Sequence, residues 1–277
     1  MRKLITANFH RFRKDRFSWC VAGLVVILSL LNVYNSARSC EAMAARGFMM
    51  SLDDYYFSQA PMLGAFLALF ISMFMGTEFG DGTIRNKLII GHKRHHILLS
   101  NFISCALAAI LLAAVWMLIS ALLFGLIGPL EMSVPEFIGC IFVVFGVSVA
   151  FAALFTVIGS LSSNKAMTII YTLGVFIVLA MAASALYDRL SEPEMHTGMT
   201  LVGTQFMEME PTPNPLYLSG MTRTVCELAL GFLPTGQAGL LSEVEIEYPI
   251  RAIAMSAAFT VVTLLAGCAL FRRKNIK

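Results

Sequence analysis

From Ile97 to Ile127 the chain reads ILLSNFISCALAAILLAAVWMLISALLFGLI, without a single Lys, Arg, Asp, Glu or His. A helix rises about 1.5 Å per residue and bilayer hydrocarbon is about 30 Å thick, so about 20 such residues cross it. This run is over-long, so it is expected to tilt or to protrude. Five more runs qualify outward from it: roughly Phe17 to Tyr34, Ser58 to Thr77, Phe137 to Leu161, Ala166 to Tyr187 and Ala252 to Phe271. In lipid the backbone can satisfy its polar groups only within its own helix or in a closed barrel. These runs are too long and too continuously apolar for alternating barrel strands. The sequence therefore predicts an all-α integral membrane protein with six transmembrane helices. Composition agrees, with 58% hydrophobic and 13% charged residues, against about 25% charged in soluble domains. The apolar runs recur without a second compositional regime, so residues 1–277 are read as one domain.

Charge sets the orientation. With the N-terminus inside, fifteen of the twenty Lys and Arg residues fall on the cytoplasmic side, which the positive-inside rule favours, and both termini are then cytoplasmic. The net charge of +3 describes two unlike faces, so it gives no argument for nucleic acid. A cleaved signal peptide is disfavoured, because the first apolar run is longer than the 7 to 15 residues typical of a signal core. Cys40 and Cys226 both fall on the outside and could pair.

Residues 1–16 form a basic amphipathic leader. At 100° per residue Met1, Leu4, Ile5, Phe9 and Phe12 share an arc of about 140°. Such a helix can lie at the bilayer interface with its cations toward lipid headgroups, which places Arg11, Arg13, Lys14 and Arg16 at the membrane surface. The largest extramembrane piece, residues 188–249, carries Pro193, Pro211, Pro213, Pro215 and Pro234. Its second half holds a moderately apolar helix, Thr222 to Leu233, broken at Leu233-Pro234-Thr235-Gly236-Gln237 before another short one. That pattern suggests an outer re-entrant helical segment before the last span; the other reading is a small extracellular cap above the membrane.

No ionisable group lies in the middle of any span, so the chain offers no proton relay of the kind carriers place at mid-membrane. His92, His95 and His96 cluster, but no cysteine or carboxylate accompanies them at ligand spacing, and no metal site is expected. No Gly-x-x-x-x-Gly-Lys-[Ser/Thr] loop occurs, so the chain is not expected to be an enzyme and any ATP-derived energy comes from another polypeptide.

The most specific segment is the loop at 78–96, between the second and third spans. Asp81 or Thr83 can supply an N-cap oxygen to a short helix, and Gly91 a left-handed stop. Ile84 and Leu88 fall four apart on one face, with Arg85 and Lys87 off it. A short helix with apolar teeth suits a groove in a soluble partner; the other reading is a mere connecting loop.

Glu78-x-x-x-Gly82-Thr83-Ile84-Arg85, following the second of six spans, resembles the signature of ABC-2 type transporter permeases. In that family such a stretch begins the coupling helix that docks on an ATPase subunit. The similarity extends to the basic leader, the Leu233-to-Gln237 run and the Phe271-Arg272-Arg273-Lys274-Asn275-Ile276 tail. Many members carry a proline shortly after the coupling helix, where this chain has Gly91-His92. The resemblance implies that Glu78, Gly82, Thr83, Ile84, Arg85 and Leu88 lie at or near the ATPase contact, and that ATP and Mg are bound by that partner. It also implies a homodimer or heterodimer with a second permease, in a bacterial cell membrane. The expected activity is ATP-driven export of a hydrophobic or amphiphilic cargo such as a peptide antibiotic, lipid or drug. The alternative is a non-translocating sensor or immunity protein that binds membrane-active peptides.

Overall fold

The computed structural model describes residues 1–47, 53–80, 82–127, 132–162, 164–196, 199–202, 205–208, 211–246 and 248–274. Its helices are α1 (Arg2–Lys14), α2 (Arg16–Ala44), α3 (Asp53–Tyr56), α4 (Ala60–Gly80), α5 (Thr83–Ile89), α6 (Arg94–Ile127), α7 (Val134–Leu161), α8 (Lys165–Leu190), α9 (Gly220–Phe232), α10 (Pro234–Ser242) and α11 (Pro249–Arg273). Six of them, α2, α4, α6, α7, α8 and α11, are long and apolar enough to cross a membrane. These coincide with the six runs of the sequence. The first differs most, because its helix continues ten residues past Tyr34 to Ala44.

Local signals start these helices. Asp15 has extended backbone (ψ 111°) between α1 and α2, and its carboxylate accepts from the Ser18 N–H at 3.1 Å and the Ser18 hydroxyl at 2.7 Å, capping α2. Ser133 and Glu136 form a capping box ahead of α7, with Pro135 in its first turn. Asn164 caps α8 by accepting from the Met167 N–H at 2.9 Å. Gly128 and Pro129, after α6, and Ser163, between α7 and α8, lie outside the described residues.

The inner helices are α4 and α7, each buried along most of its length, while α2, α8 and α11 form the periphery. The core joins Leu67, Ile71 and Met75 of α4 to Trp116 of α6 and to Val147, Phe151 and Phe155 of α7. The α7–α11 contact is close: a β-carbon at Gly146 would stand 3.3 Å from Ser256, and one at Gly267 only 2.4 Å from Val157. Small residues let spans approach in lipid, where no hydrophobic effect drives them together. Of the small pairs visible in the sequence, Gly146 and Ala150 pack inward, whereas Ala254 and Ala258 are exposed.

The segment at 188–249 holds two structures the sequence reading missed. Antiparallel pairs join β1 (Met195–His196) to β4 (Thr212–Pro213) and β2 (Met199–Val202) to β3 (Gln205–Glu208). Cys226 is a free thiol, so no bridge to Cys40 forms. The helical half folds back on the bundle, with α10 buried against α4, α7 and α8. The Leu233-to-Gln237 run is its anchor. The Gln237 side-chain amide donates to Gly231 O at 2.6 Å and Ala252 O at 3.1 Å, and its oxygen accepts from the Ser256 hydroxyl at 2.6 Å. Thr235 donates to Leu179 O at 3.0 Å. Any β-carbon at 236 would lie 2.1 Å from the backbone oxygen of Leu230. Gly236→Ala is therefore expected to cost at least about 1–3 kcal/mol, the range for over-packing, because backbone cannot swing aside. Gly239→Ala, which meets nothing within 4 Å, is the control. The thermal midpoint of the purified protein should fall for the first variant and hold for the second.

Candidate functional site

The end of α4 carries a carboxylate that the fold removes from water. Glu78 is fully buried, and a buried carboxylate is tolerated only when it is paired and hydrogen-bonded. Two cations reach it. Arg11 of α1 forms an ion pair with Glu78 Oε1 and also donates to Phe74 O at 2.5 Å and Thr77 Oγ1 at 2.7 Å. Lys87 of α5 straddles both carboxylate oxygens at 2.9 and 2.8 Å. Both cations also suit the negative end of the α4 dipole, where a lone carboxylate would be misplaced.

A second layer closes the cluster. Asn8 Nδ2 donates to Asn101 Oδ1 at 2.9 Å and to Ser100 O at 3.4 Å, while Asn8 Oδ1 accepts from Lys87 at 3.3 Å. Asn101 Nδ2 lies 3.5 Å from Glu78 Oε2. One carboxylate thus ties together α1, α4, α5 and α6. Aromatic packing reinforces it, with Phe12 stacked 3.9 Å from Phe74 and the Arg11 guanidinium 4.1 Å from the same ring.

Helix α5 hangs from this cluster between two left-handed glycines. Gly82 (φ 64°) precedes it and Gly91 (φ 93°) ends it, a conformation that glycine adopts without steric cost. The stop is a Schellman motif, with His92 N–H donating to Lys87 O at 3.1 Å and Gly91 N–H to Leu88 O at 2.9 Å. The left-handed stop at Gly91 was expected. The cap was not: Gly82 holds the N-cap position, and the Thr83 hydroxyl donates backward to Glu78 O at 2.8 Å. Asp81 lies outside the described residues.

The two faces of α5 do different things. Ile84 is buried in a cluster with Leu98 of α6, Val157 of α7 and Phe271 of α11, against which Leu88 also packs. Arg85 and Asn86 are exposed, as are Ile89 and Ile90 at 74% and 76%. The apolar teeth read from the sequence therefore grip this chain's own spans. Glu78, Ile84 and Leu88 point into the protein rather than outward; of the residues expected at a partner, Arg85 stands on the open face. Arg11, expected at the membrane surface, pairs with Glu78 while its side chain keeps 27% exposure, and Arg13, Lys14 and Arg16 are exposed.

The C-terminus clasps the same region. Arg94 donates to the carbonyls of Phe271 (3.0 Å), Arg272 (3.2 Å) and Lys274 (2.5 Å) at the end of α11. Lys274 in turn donates to Ser160 O at 3.1 Å and Ser162 O at 2.5 Å at the end of α7. Burial brings the Lys274 ammonium down to about 8.

Sequence reasoning missed Asn8, Lys87 and Asn101. A signal existed for the first: at 100° per residue Asn8 falls inside the apolar arc of the leader, where a polar residue has no business unless a partner waits. Asn101 is similarly a polar residue within an otherwise apolar run.

The six spans, with a short glycine-bounded helix braced under the second and third, define a multi-pass membrane protein. The chain matches the family described as "ABC-2 family transporter protein" over residues 4–183, well over half its length, and it belongs to that family. The matched region contains the whole Glu78 cluster and ends before α9, α10 and α11. No curated protein matches the chain.

Removing one partner of a buried pair strands the other charges, at a typical cost of about 3–5 kcal/mol. Glu78→Ala should therefore loosen α1 and α5 together. Amide hydrogen exchange should accelerate in both helices while α7 stays protected, and unchanged exchange in α5 would contradict the bracing role.

Proposed function

We propose that this permease is the membrane subunit of an ATP-driven exporter, powered by a separate ABC ATPase that binds ATP and Mg and docks on α5. The observation that carries this reading is the division of α5 into two faces. A seven-residue helix is too short to be stable alone, yet this one is held by an ion cluster and an apolar seat while presenting Arg85, Ile89 and Ile90 outward. Two adjacent isoleucines beside a cation at the bundle's end suit an apolar groove with an acidic rim on a soluble partner.

Motion of the partner would pass through Ile84 to Leu98, Val157 and Phe271, and through Lys87 to Glu78. Four spans would thus receive one push. In this account α5, the leader and both termini are cytoplasmic in the cell membrane, and the working unit pairs two permease chains, identical or different, with two ATPases. The cargo is hydrophobic or amphiphilic, because the spans carry no ionisable groups at their centres with which to couple ions.

The test separates the two faces. Ile89→Asp combined with Ile90→Asp, and separately Arg85→Glu, should reduce co-purification of the cognate ATPase by at least about tenfold, the scale of an interface hot spot. The spans should remain folded by circular dichroism. Undiminished co-purification with both variants would remove α5 as the docking element.

A further inference from the structure

At the end of the bundle opposite α5, the buried helix α10 leaves an apolar cavity of about 240 Å³ between itself, α4 and α8. Its walls are Pro61, Phe176, Ala180, Ala183 and Leu230, with Gly236 and Gly239 of α10. The rest of the lining is polar, with Ser184, Tyr187, Thr235 and Ser242 and, at the open side, the exposed Glu243, and no Lys or Arg is among the described lining residues. Glu243 is exposed and makes no ion pair among the described residues. Tyr187 is held in place by donating to Glu245 Oε1 at 3.1 Å, a carboxylate that does not itself line the cavity.

We propose that this cavity is a binding site for a cationic amphiphile, with its apolar body between α8 and α10 and its ammonium or guanidinium against Glu243 and the Tyr187 ring. Three properties select that class. The volume falls below the 300–1,000 Å³ of sites for drug-sized ligands, so it accepts one chain or ring and leaves the head outside. The lining holds a single carboxylate and, among the described residues, no Lys or Arg, so it attracts a cation and repels an anion. An aromatic face beside a carboxylate is also the surroundings in which a quaternary ammonium is held. Gly239 borders open space, since a β-carbon there would meet nothing within 4 Å. The inference deepens the transport reading by naming the cargo's charge, and it rests on that reading for the claim that the bound molecule is cargo.

The test needs no ATPase, so its failure and that of the docking proposal are distinguishable. Gly239→Cys is introduced into the full chain, reconstituted in phosphatidylcholine nanodiscs. Its modification by a water-soluble maleimide is followed by peptide mapping at residue 239, with dodecyltrimethylammonium, dodecyl sulfate or dodecanol as competitor. The cation should slow labelling at least about tenfold where equal concentrations of the anion and the alcohol do not, and Glu243→Gln should abolish the difference. Ala180→Cys on the facing wall is a second reporter, which keeps the test valid if the first variant folds poorly. Equal protection by all three competitors would make the cavity a plain lipid crevice and overturn the proposal. So would a cation preference that survives Glu243→Gln.

Discussion

A carboxylate shut away from water at the end of a transmembrane helix imposes terms on everything near it. Glu78 has no solvent to stabilise its charge, so cations must come to it from elsewhere in the chain, and their backbones come with them. Arg11 draws the leader helix α1 across the bundle, and Lys87 turns α5 back beneath α4. Asn8 and Asn101 satisfy what remains and fasten α6. Apolar packing alone would let α1 and α5 slide, because hydrocarbon contacts have no direction. The ion cluster fixes register where packing cannot.

The opposite end of the bundle is held by different means. There the anchor is a neutral amide, Gln237, whose bonds reach the backbone of α9 and α11 and the Ser256 hydroxyl, beside a glycine that nothing larger can replace. Neutral hydrogen bonds and close backbone contact suit a helix buried among lipid-facing spans, where an unpaired charge would cost several kcal/mol. The two ends also differ in what they expose. One presents isoleucines and Arg85 on a short rigid helix, and the other an apolar cleft with a carboxylate at its mouth.

Much of this was legible in the sequence, and the remainder failed for identifiable reasons. The six spans follow from run length, and their inward faces follow wherever small residues mark a close approach, as at Gly146. Gly91 announced the end of α5 because only a left-handed residue closes a helix that way. The direction of Ile84 and Leu88 was not legible: a two-residue apolar stripe looks the same whether it faces a partner or its own protein, and only the position of Phe271, almost two hundred residues away, decides it. The Arg11–Glu78 pairing was hidden for a related reason. A cation in a basic leader reads as a lipid contact until the acid that claims it, sixty-seven residues on, is brought alongside. The strands at 195–213 were hidden by a segment rich in proline, although Thr200-Leu201-Val202 carries the β-branched residues that favour a strand.

The central claim is that Glu78 serves as an internal brace shared with Arg11, and it can be measured without any partner. In a double-mutant cycle, Arg11→Gln, Glu78→Gln and the pair are compared by equilibrium unfolding of the purified chain in detergent. Residues of one ion cluster couple by about 0.5–3 kcal/mol. The account predicts that the double variant loses less stability than the sum of the two single ones by at least about 1 kcal/mol. Additive losses would show that Arg11 and Glu78 act independently and would contradict it.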